Sequence, residues 1–371
     1  MALIKSQTTV DEEHRLEILD ILRIFSALWV GIYHLSGGHG WFSTLKHPYQ
    51  NILENNQFGN LSGFIRLGFL GTPIFFVISG FVIVTSSKNK SADSFLIARL
   101  SRLLPAYIFS VVLTLAVFKF GYSGANELSV DKILSTLNLT WLTNSSSPIQ
   151  GSYWTLWPEV RFYGLFLIFV LLFRKNQRFE RRTTIFFIGW LCTLWFGLTS
   201  NSILGLFGIS DYAVFFILGG FIALASSKEL IKGVSPFLFA ALLLAIFNLR
   251  HWIFAWDSKH PADWRAGCVL FVISLALIAA SRRYSFKNTS IQKIIMVLGR
   301  SSYAFYLLQE GVGMPMTSFF AFHGMQIWLA IALSLLNVLV VSVAFTMWVE
   351  ASLIKLVKDG FGTGLRMLLA R

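Results

Sequence analysis

Charged residues are scarce in this sequence of 371 residues: Lys, Arg, Asp and Glu make up 13% of it, whereas apolar residues make up 55%. A soluble domain carries roughly twice that charged share. The mean hydropathy is +0.65. Uncharged apolar runs such as 327–349 exceed the length of about 20 residues that a helix needs to cross a bilayer. A large soluble helical protein does not need such runs, so the sequence indicates an integral membrane protein.

Cysteine is also rare. The two that occur, Cys192 and Cys268, lie inside separate apolar runs. No pair of cysteines has the spacing of metal ligands, and no loop is rich in cysteine, so the sequence predicts neither a disulfide framework nor a zinc site. We therefore expect no metal and no permanently bound cofactor.

The charges that do occur are mostly basic, which gives a formal net charge of +13. They are concentrated in the N-terminal segment, in every second gap between apolar runs, and in the C-terminal tail. Positive charge marks the cytoplasmic side of a membrane protein, so we predict that both termini are cytoplasmic. This distribution favours contact with anionic membrane lipids over binding to nucleic acid.

The fold class predicted from these patterns is an all-α integral membrane bundle of about ten transmembrane helices. Residues 1–15 form a cytoplasmic segment, 16–350 the transmembrane domain, and 351–371 a basic cytoplasmic tail. An interfacial helix is expected around Val130–Leu142, and the sequence predicts no particular oligomeric state. The predicted spans are 16–36, 66–86, 103–122, 153–173, 183–200, 211–226, 236–254, 265–281, 302–322 and 327–350.

Ionisable side chains inside a bilayer are costly, and they are therefore candidates for function. The first span contains Asp20, Arg23 and His34. Arg23 and His34 are eleven residues apart, about three turns and roughly 16 Å of rise, so they share one helix face. Asp20 and Arg23 have the spacing of an ion pair. Histidine is suited to proton transfer near neutral pH; the alternatives are that Arg23 snorkels to the headgroups and that His34 caps the helix end at the interface.

A carboxylate occurs one turn into the fourth span. Glu159 lies on the predicted outer side, at the predicted depth of His34. We expect it to orient His34 and to stabilise the imidazolium form of that ring. The alternative is an ion pair of Glu159 with Arg161 or Arg66 at the membrane interface.

Two arginines, Arg99 and Arg102, stand three residues apart just before the predicted third span. Their planar guanidinium groups are suited to bidentate binding of phosphate. On spacing alone, anchoring at the positively charged inner surface is the better explanation for this pair.

In chain order, these features form a pattern that resembles the acyltransferase 3 family of membrane acyltransferases. The resemblance runs from about residue 18 to 308 and consists of five blocks: Leu19–Arg23 with His34, Gly71–Phe81, Arg99–Arg102 with Pro105 and Tyr107, Trp154–Tyr163, and Ser302–Leu307. It implies ten helices and transfer of an acyl group, usually acetyl, from acyl-CoA to a sugar hydroxyl. It also implies essential roles for the matching residues His34, Arg23, Arg99, Arg102 and Glu159.

The chain departs from the family pattern in its late block. That block commonly ends in histidine, whereas this chain has Gln309 followed by Glu310. The role of a second base at this position is therefore not expected here.

The resemblance leads to a specific mechanism. Acetyl-CoA or another acyl-CoA is expected to dock from the cytoplasm with its phosphates on Arg99 and Arg102. His34 then deprotonates the acceptor hydroxyl or takes the acyl group itself, and the sequence leaves both routes open. Weaker candidates for stacking on the sugar or lining the cavity are Trp41, Trp154, Tyr163 and Tyr303.

An outward-facing site predicts an envelope or secreted glycan as acceptor, such as lipopolysaccharide O-antigen or exopolysaccharide, and the bacterial inner membrane as location. The acyl group is acetyl, succinyl or longer. A glycan exporter or flippase without acyl transfer is the alternative from another class, but it leaves Arg23 and His34 on one face unexplained. Enzymes of the membrane-bound O-acyltransferase type place their key histidine well past the middle of the chain, unlike His34.

Overall fold

The computed structural model describes the chain in segments that together include most of its length. Within these segments every regular element is a helix or a helical turn. The described residues are 17–37, 59–88, 90–121, 130–137, 148–173, 179–196, 212–225, 231–256, 263–284, 286 and 288–369.

Thirteen helices, numbered here in chain order, form the described fold. They are α1 (Glu17–Leu35), α2 (Gly71–Ser87), α3 (Ala92–Gly121), α4 (Val130–Leu137), α5 (Leu156–Phe173), α6 (Phe179–Trp195), α7 (Ala213–Ala225), α8 (Ile231–Trp256), α9 (Trp264–Ala280), α10 (Thr289–Leu308), α11 (Met314–Phe322), α12 (Ile327–Trp348) and α13 (Glu350–Leu369). A short helix, Ser62–Arg66, and a 3₁₀ turn, Leu67–Leu70, lead into α2.

Every predicted span overlaps at least one described helix, and the described part of the chain has six helical stretches long and apolar enough to cross a membrane. Helices α7 and α9 are apolar but shorter. The chain is therefore a multi-pass membrane protein, whereas ten crossings and two cytoplasmic termini stay predictions. The six stretches are Glu17–Leu35, Ser62–Ser87, Ala92–Lys119, Gly151–Phe173, Lys232–Phe254 and Ile327–Trp348.

Two helices extend beyond the predicted spans. Helix α3 begins at Ala92, ahead of the third span predicted from 103. The ninth span, 302–322, comprises the end of a helix that begins at Thr289, the turn Gln309–Gly313 and α11. The prediction followed hydropathy, which falls wherever charged residues occur. A helix continues through charged residues as long as its backbone hydrogen bonds do, so the charged first turns were assigned to gaps.

The short helix α7 lies in the middle of the bundle, since all residues from Ala213 to Leu224 are buried. It crosses α2 in direct backbone contact, where Gly80 lies against the carbonyl of Phe216 and Gly219 against that of Val77. Small residues at such crossings let membrane helices approach closely.

Helices α1 and α10 pack side by side and run in the same direction. Gly299 near the middle of α10 lies against Asp20 in the first turn of α1. Gln309, just after α10, contacts His34 at the end of α1. A later residue of α1 thus meets a later residue of the α10 segment, which shows that the two helices are parallel. Asp20 and His34 of α1 therefore face successive positions of this segment.

A π-helical turn, Gln309–Gly313, joins α10 to α11. Such turns are rare and occur frequently at functional sites. Gly311 in this turn lies so close to Gln150 and Thr114 that a Cβ atom would overlap their side chains. The wide turn therefore fits against its neighbours only with glycine at this position.

The ends of three helices meet on one face of the bundle. Lys88, after α2, pairs with Glu180 in the first turn of α6, with 2.8 Å between Nζ and Oε1. Arg282, after α9, lies 5.3 Å from the centre of the Phe81 ring and interacts with Glu180. Burial lowers the pKa of Arg282 from its usual value, and Glu180 opposes this effect. These ends belong to three gaps that the charge pattern assigns to the cytoplasm.

Two helices lie outside the predicted spans. Helix α4 confirms that the segment expected near Val130 is helical, and it is held by a hydrogen bond of 2.6 Å from the Tyr107 hydroxyl to the Thr136 carbonyl. Residues 138–142 of that expected helix lie outside the described residues. The segment predicted as a basic tail continues as α13, which exposes Lys355 and Lys358.

Candidate active site

The first group of site residues surrounds His34 at the end of α1. His34 is 7% exposed, and its Nδ1 atom lies 2.6 Å from Nε2 of Gln309 and 3.5 Å from Oε1 of Glu310. Both partners come from the π-helical turn and are fully buried. A carboxylate at this distance stabilises positive charge on the imidazole ring, more strongly in a dry interior than in water.

Glu310 is itself fixed by the backbone. Its Oε2 atom accepts a hydrogen bond of 2.5 Å from the N–H of Ser152, in the 3₁₀ turn Gly151–Thr155 before α5. The neighbouring residue Gln150 donates to the carbonyl of Leu307. Hydrogen bonds to an ionised carboxylate are stronger than those between neutral groups, so the start of α5 holds the carboxylate in place beside His34.

The expectation that Glu159 orients His34 was wrong, because the carboxylate beside the ring is Glu310. Glu159 instead accepts a hydrogen bond from the Tyr163 hydroxyl and one of 3.4 Å from the Ser79 hydroxyl. The prediction used depth in the membrane alone, and depth does not determine which way a helix turns a side chain. Glu310 was noted in the sequence only as a departure from the family pattern, although an intramembrane carboxylate is itself a candidate for function.

The position expected for Arg99, in a gap before the third span, was also wrong. Arg99 lies inside α3, is 6% exposed, and donates to the Ser86 hydroxyl at 2.8 Å. Its guanidinium carbon is 5.4 Å from the centre of the Phe95 ring and 5.8 Å from that of Tyr163. The group is therefore part of the bundle interior rather than an exposed surface cation.

Arg102 lies one turn further along α3 and is more exposed than Arg99. It interacts electrostatically with Tyr163 and Tyr303, and with Glu350 at the start of α13. Arg102 thus stands at the end of the polar interior that is remote from His34.

Arg23 makes the predicted ion pair with Asp20, with 3.0 Å between Nη1 and Oδ1. Because Asp20 lies against Gly299, this pair lies beside the middle of α10. Arg23 therefore lies along α1 between Asp20 and the His34 group at the end of that helix.

The weaker candidates separate in the structure. Tyr163 and Tyr303 belong to the interior group with Glu159 and Arg102. Trp154 is half-buried and packs on Tyr212, with 4.9 Å between ring centres. Trp41 lies outside the described residues. In the part of the chain that the structure describes, His, Cys, Asp and Glu side chains form no cluster that would hold a metal ion.

The His34 group contains buried polar atoms without hydrogen-bond partners among the described residues. They are Oε1 of Gln309, Oε1 of Glu310 and Oγ of Ser152. Buried polar atoms are almost always paired in native proteins, and unpaired ones require an explanation. A polar ligand that reaches His34 would supply the missing partners.

The sequence model of the acyltransferase 3 family, whose description is an acyltransferase domain, matches residues 16–347. The chain belongs to the acyltransferase 3 family. The buried His34 group described above accordingly lies in a membrane acyltransferase, and the match extends over every described site residue on α1, α3, α5 and α10.

One curated relative is the regulator of hypoxia-inducible factor 1 of Caenorhabditis elegans. It is 26% identical over 194 residues, which are 47% of this chain and 38% of that protein. The chain thus spans less than two fifths of the relative, and the relative's name states no reaction. No solved structure matches the acyltransferase.

Proposed function

We propose that this acyltransferase moves an acyl group, most simply acetyl, from acyl-CoA to a hydroxyl of an envelope or secreted glycan. The observation that carries the proposal is the buried group of His34, Gln309 and Glu310. In this group His34 can act as a base, the Gln309 amide can determine which ring nitrogen is protonated, and Glu310 supplies a carboxylate. Transfer to oxygen needs a base for the acceptor hydroxyl, and histidine serves this role near neutral pH.

The reaction balances with His34 alone as proton carrier. Its Nε2 atom takes the proton of the acceptor hydroxyl as the oxygen attacks the thioester carbonyl. The carbon–sulfur bond then breaks, the acyl group stays on the acceptor oxygen, and the imidazolium returns the proton to the departing thiolate of CoA. Glu310 stabilises the imidazolium between the two transfers.

Gln309 sets which ring nitrogen is the base. The amide can present its NH₂ group or, after a half-turn, its carbonyl oxygen to Nδ1. Base catalysis through Nε2 requires a proton on Nδ1. When the carbonyl oxygen of Gln309 faces the ring, it accepts a hydrogen bond from this Nδ1–H group. The ionised carboxylate of Glu310 only accepts hydrogen bonds, so it favours the same tautomer.

The donor side of the site is assigned to the arginines. Arg102 is the more exposed of the α3 pair and lies at the far end of the polar interior from His34, which suits it to a phosphate of acyl-CoA. Arg99 adds positive potential behind it, and Arg23 lies along the path between Arg102 and His34. With the predicted orientation, acyl-CoA enters from the cytoplasm and the glycan from the outer side of a bacterial inner membrane.

The proposal is tested by acyl transfer in membranes that contain the His34→Ala variant. Radiolabelled acetyl-CoA and succinyl-CoA are supplied in parallel, and label in the glycan is counted. Loss of the general base lowers the rate on the order of 10²-fold or more. His323→Ala is the matched control, because His323 is exposed at the end of α11. Wild-type rates in His34→Ala membranes with confirmed expression would refute the proposal.

A further inference from the structure

Two tyrosine hydroxyls on α10 are buried without a hydrogen-bond partner among the described residues, those of Tyr303 and Tyr306. Thr72 and Thr155 are neighbours of the Tyr306 hydroxyl, but neither meets it in hydrogen-bonding geometry. Other buried tyrosines are satisfied; for example, Tyr107 donates to a backbone carbonyl at 2.6 Å. The two open hydroxyls are therefore a specific feature of this face of α10.

The two tyrosines and Gln309 follow one another along the chain as a line of residues that leads to the catalytic group. Tyr303 and Tyr306 are three residues apart, so they share a helix face with a rise of about 4.5 Å between them. Gln309, three residues further, contacts His34. Tyr303 interacts with Arg102, and Tyr306 interacts with Glu310. The line therefore runs from the proposed phosphate end of the site to the proposed base.

We propose that Tyr303 and Tyr306 bind the two amides of the pantetheine arm as it extends from Arg102 to His34. The inference rests on the proposed use of acyl-CoA. An amide offers a donor and an acceptor, and a tyrosine hydroxyl can complement either. In pantetheine a β-alanine unit lies between the two amides. Its backbone has one carbon atom more than that of an ordinary amino-acid residue. The separation of the two amides is about 5 Å when scaled from 3.3–3.6 Å per extended residue, and Tyr303 and Tyr306 are separated by a similar rise along the axis of α10.

The assignment has a direction. The amide closer to sulfur must lie closer to the reacting thioester and hence to His34, which assigns it to Tyr306. The amide remote from sulfur is then assigned to Tyr303, on the Arg102 side. An acceptor sugar does not fit this line, because the line approaches His34 from the donor side.

The test compares three acetyl donors with the variants Tyr303→Phe and Tyr306→Phe in the full-length protein. Acetyl-CoA and S-acetylpantetheine contain both amides, whereas S-acetyl-N-acetylcysteamine contains only the amide closer to sulfur. Each variant should lower kcat/KM for the first two donors about 3- to 12-fold, the effect of one hydrogen bond. With the shortened donor, Tyr306→Phe should keep its penalty and Tyr303→Phe should lose it.

Stability gives a second readout and a matched control. Phenylalanine at 303 or 306 removes a hydroxyl that is unpaired without ligand, so the midpoint of thermal unfolding should stay the same or rise. Tyr107→Phe breaks a satisfied hydrogen bond, so it should lower the midpoint and alter kcat/KM equally for all three donors.

The inference is overturned if Tyr303→Phe loses the same factor with every donor, or if both variants match wild type while wild type transfers acetyl normally. If wild type itself transfers nothing from any thioester, the proposed function fails instead. The two failures are thereby distinguished in one set of assays.

Discussion

The Glu310 carboxylate lies between a histidine ring and a backbone N–H, and it is fully buried. A buried charge is costly unless it is paired and hydrogen-bonded. Here one oxygen is bonded to Ser152 and the other faces His34, so the carboxylate is arranged to gain when the ring becomes positive. This arrangement suits the proposed reaction, in which His34 is transiently protonated.

Glu310→Gln is predicted to lower kcat on the order of 10²-fold or more with little change in the KM for acyl-CoA, by analogy with carboxylate-oriented histidines in hydrolases. The amide keeps the size of the side chain and an oxygen for Ser152 but loses the charge. Combining it with His34→Ala should cause little further loss, because residues that act as a unit are not additive. Fully multiplicative effects in the double variant would show that the two side chains act separately.

The sequence was sufficient to identify His34, Arg23 and the Asp20–Arg23 pair, because these residues interrupt an apolar helix at helical spacing. It was insufficient to find the partner of His34. Glu310 is far away in sequence, and which carboxylate faces the ring depends on the rotation and packing of α10. The resemblance also drew attention to Glu159, which the structure places with Tyr163 and Ser79.

The π-helical turn is the element on which the site depends. It contributes two consecutive side chains, Gln309 and Glu310, to the same ring atom of His34. No composition or hydropathy signal marks this turn. The sequence was sufficient to predict a helix in this region. The widening of the helix into a π-helical turn depends on its packing against the start of α5, which the sequence does not show.

Gly311→Ala is predicted to destabilise the protein by about 1–3 kcal/mol, the usual cost of overpacking, and to lower acyl transfer. The added methyl group would overlap Gln150 and Thr114 and displace the turn. Gly164→Ala in α5 is the matched control, because nothing lies within 4 Å of its Cβ position. Alanine there should be neutral or stabilise the helix by roughly 0.5–1 kcal/mol. Thermal unfolding in detergent measures both; equal midpoints for the two variants would argue against a tightly packed turn.

At the scale of the whole molecule, orientation links the membrane topology to the reaction. The charge pattern assigns the gaps after α2, before α6 and after α9 to the side opposite to α4, and the structure places Lys88, Glu180 and Arg282 together on one face. The polar interior then extends from Arg102 near the proposed donor entrance to His34 near the proposed acceptor entrance. In the proposed function, the bundle interior therefore connects the cytoplasmic acyl-CoA with a glycan on the outer side of the membrane.

The topology predicts which positions an impermeant thiol reagent reaches in intact cells. With Cys192 and Cys268 replaced by serine, a cysteine at Lys132 in α4 should be labelled from outside. Cysteines at Lys88 and Arg282 should be labelled only after the membrane is opened. Labelling of Lys88→Cys and Lys132→Cys from the same side would contradict the predicted orientation.

The most direct test of the central claim is mass spectrometry of surface and secreted glycans from cells that lack the gene and carry either the wild-type or the His34→Ala copy. The account predicts ester-linked acyl groups on the glycan with the wild-type protein and their loss with His34→Ala at equal expression. Identical acylation in the two strains, or a glycan that is exported differently but never acylated, would contradict it.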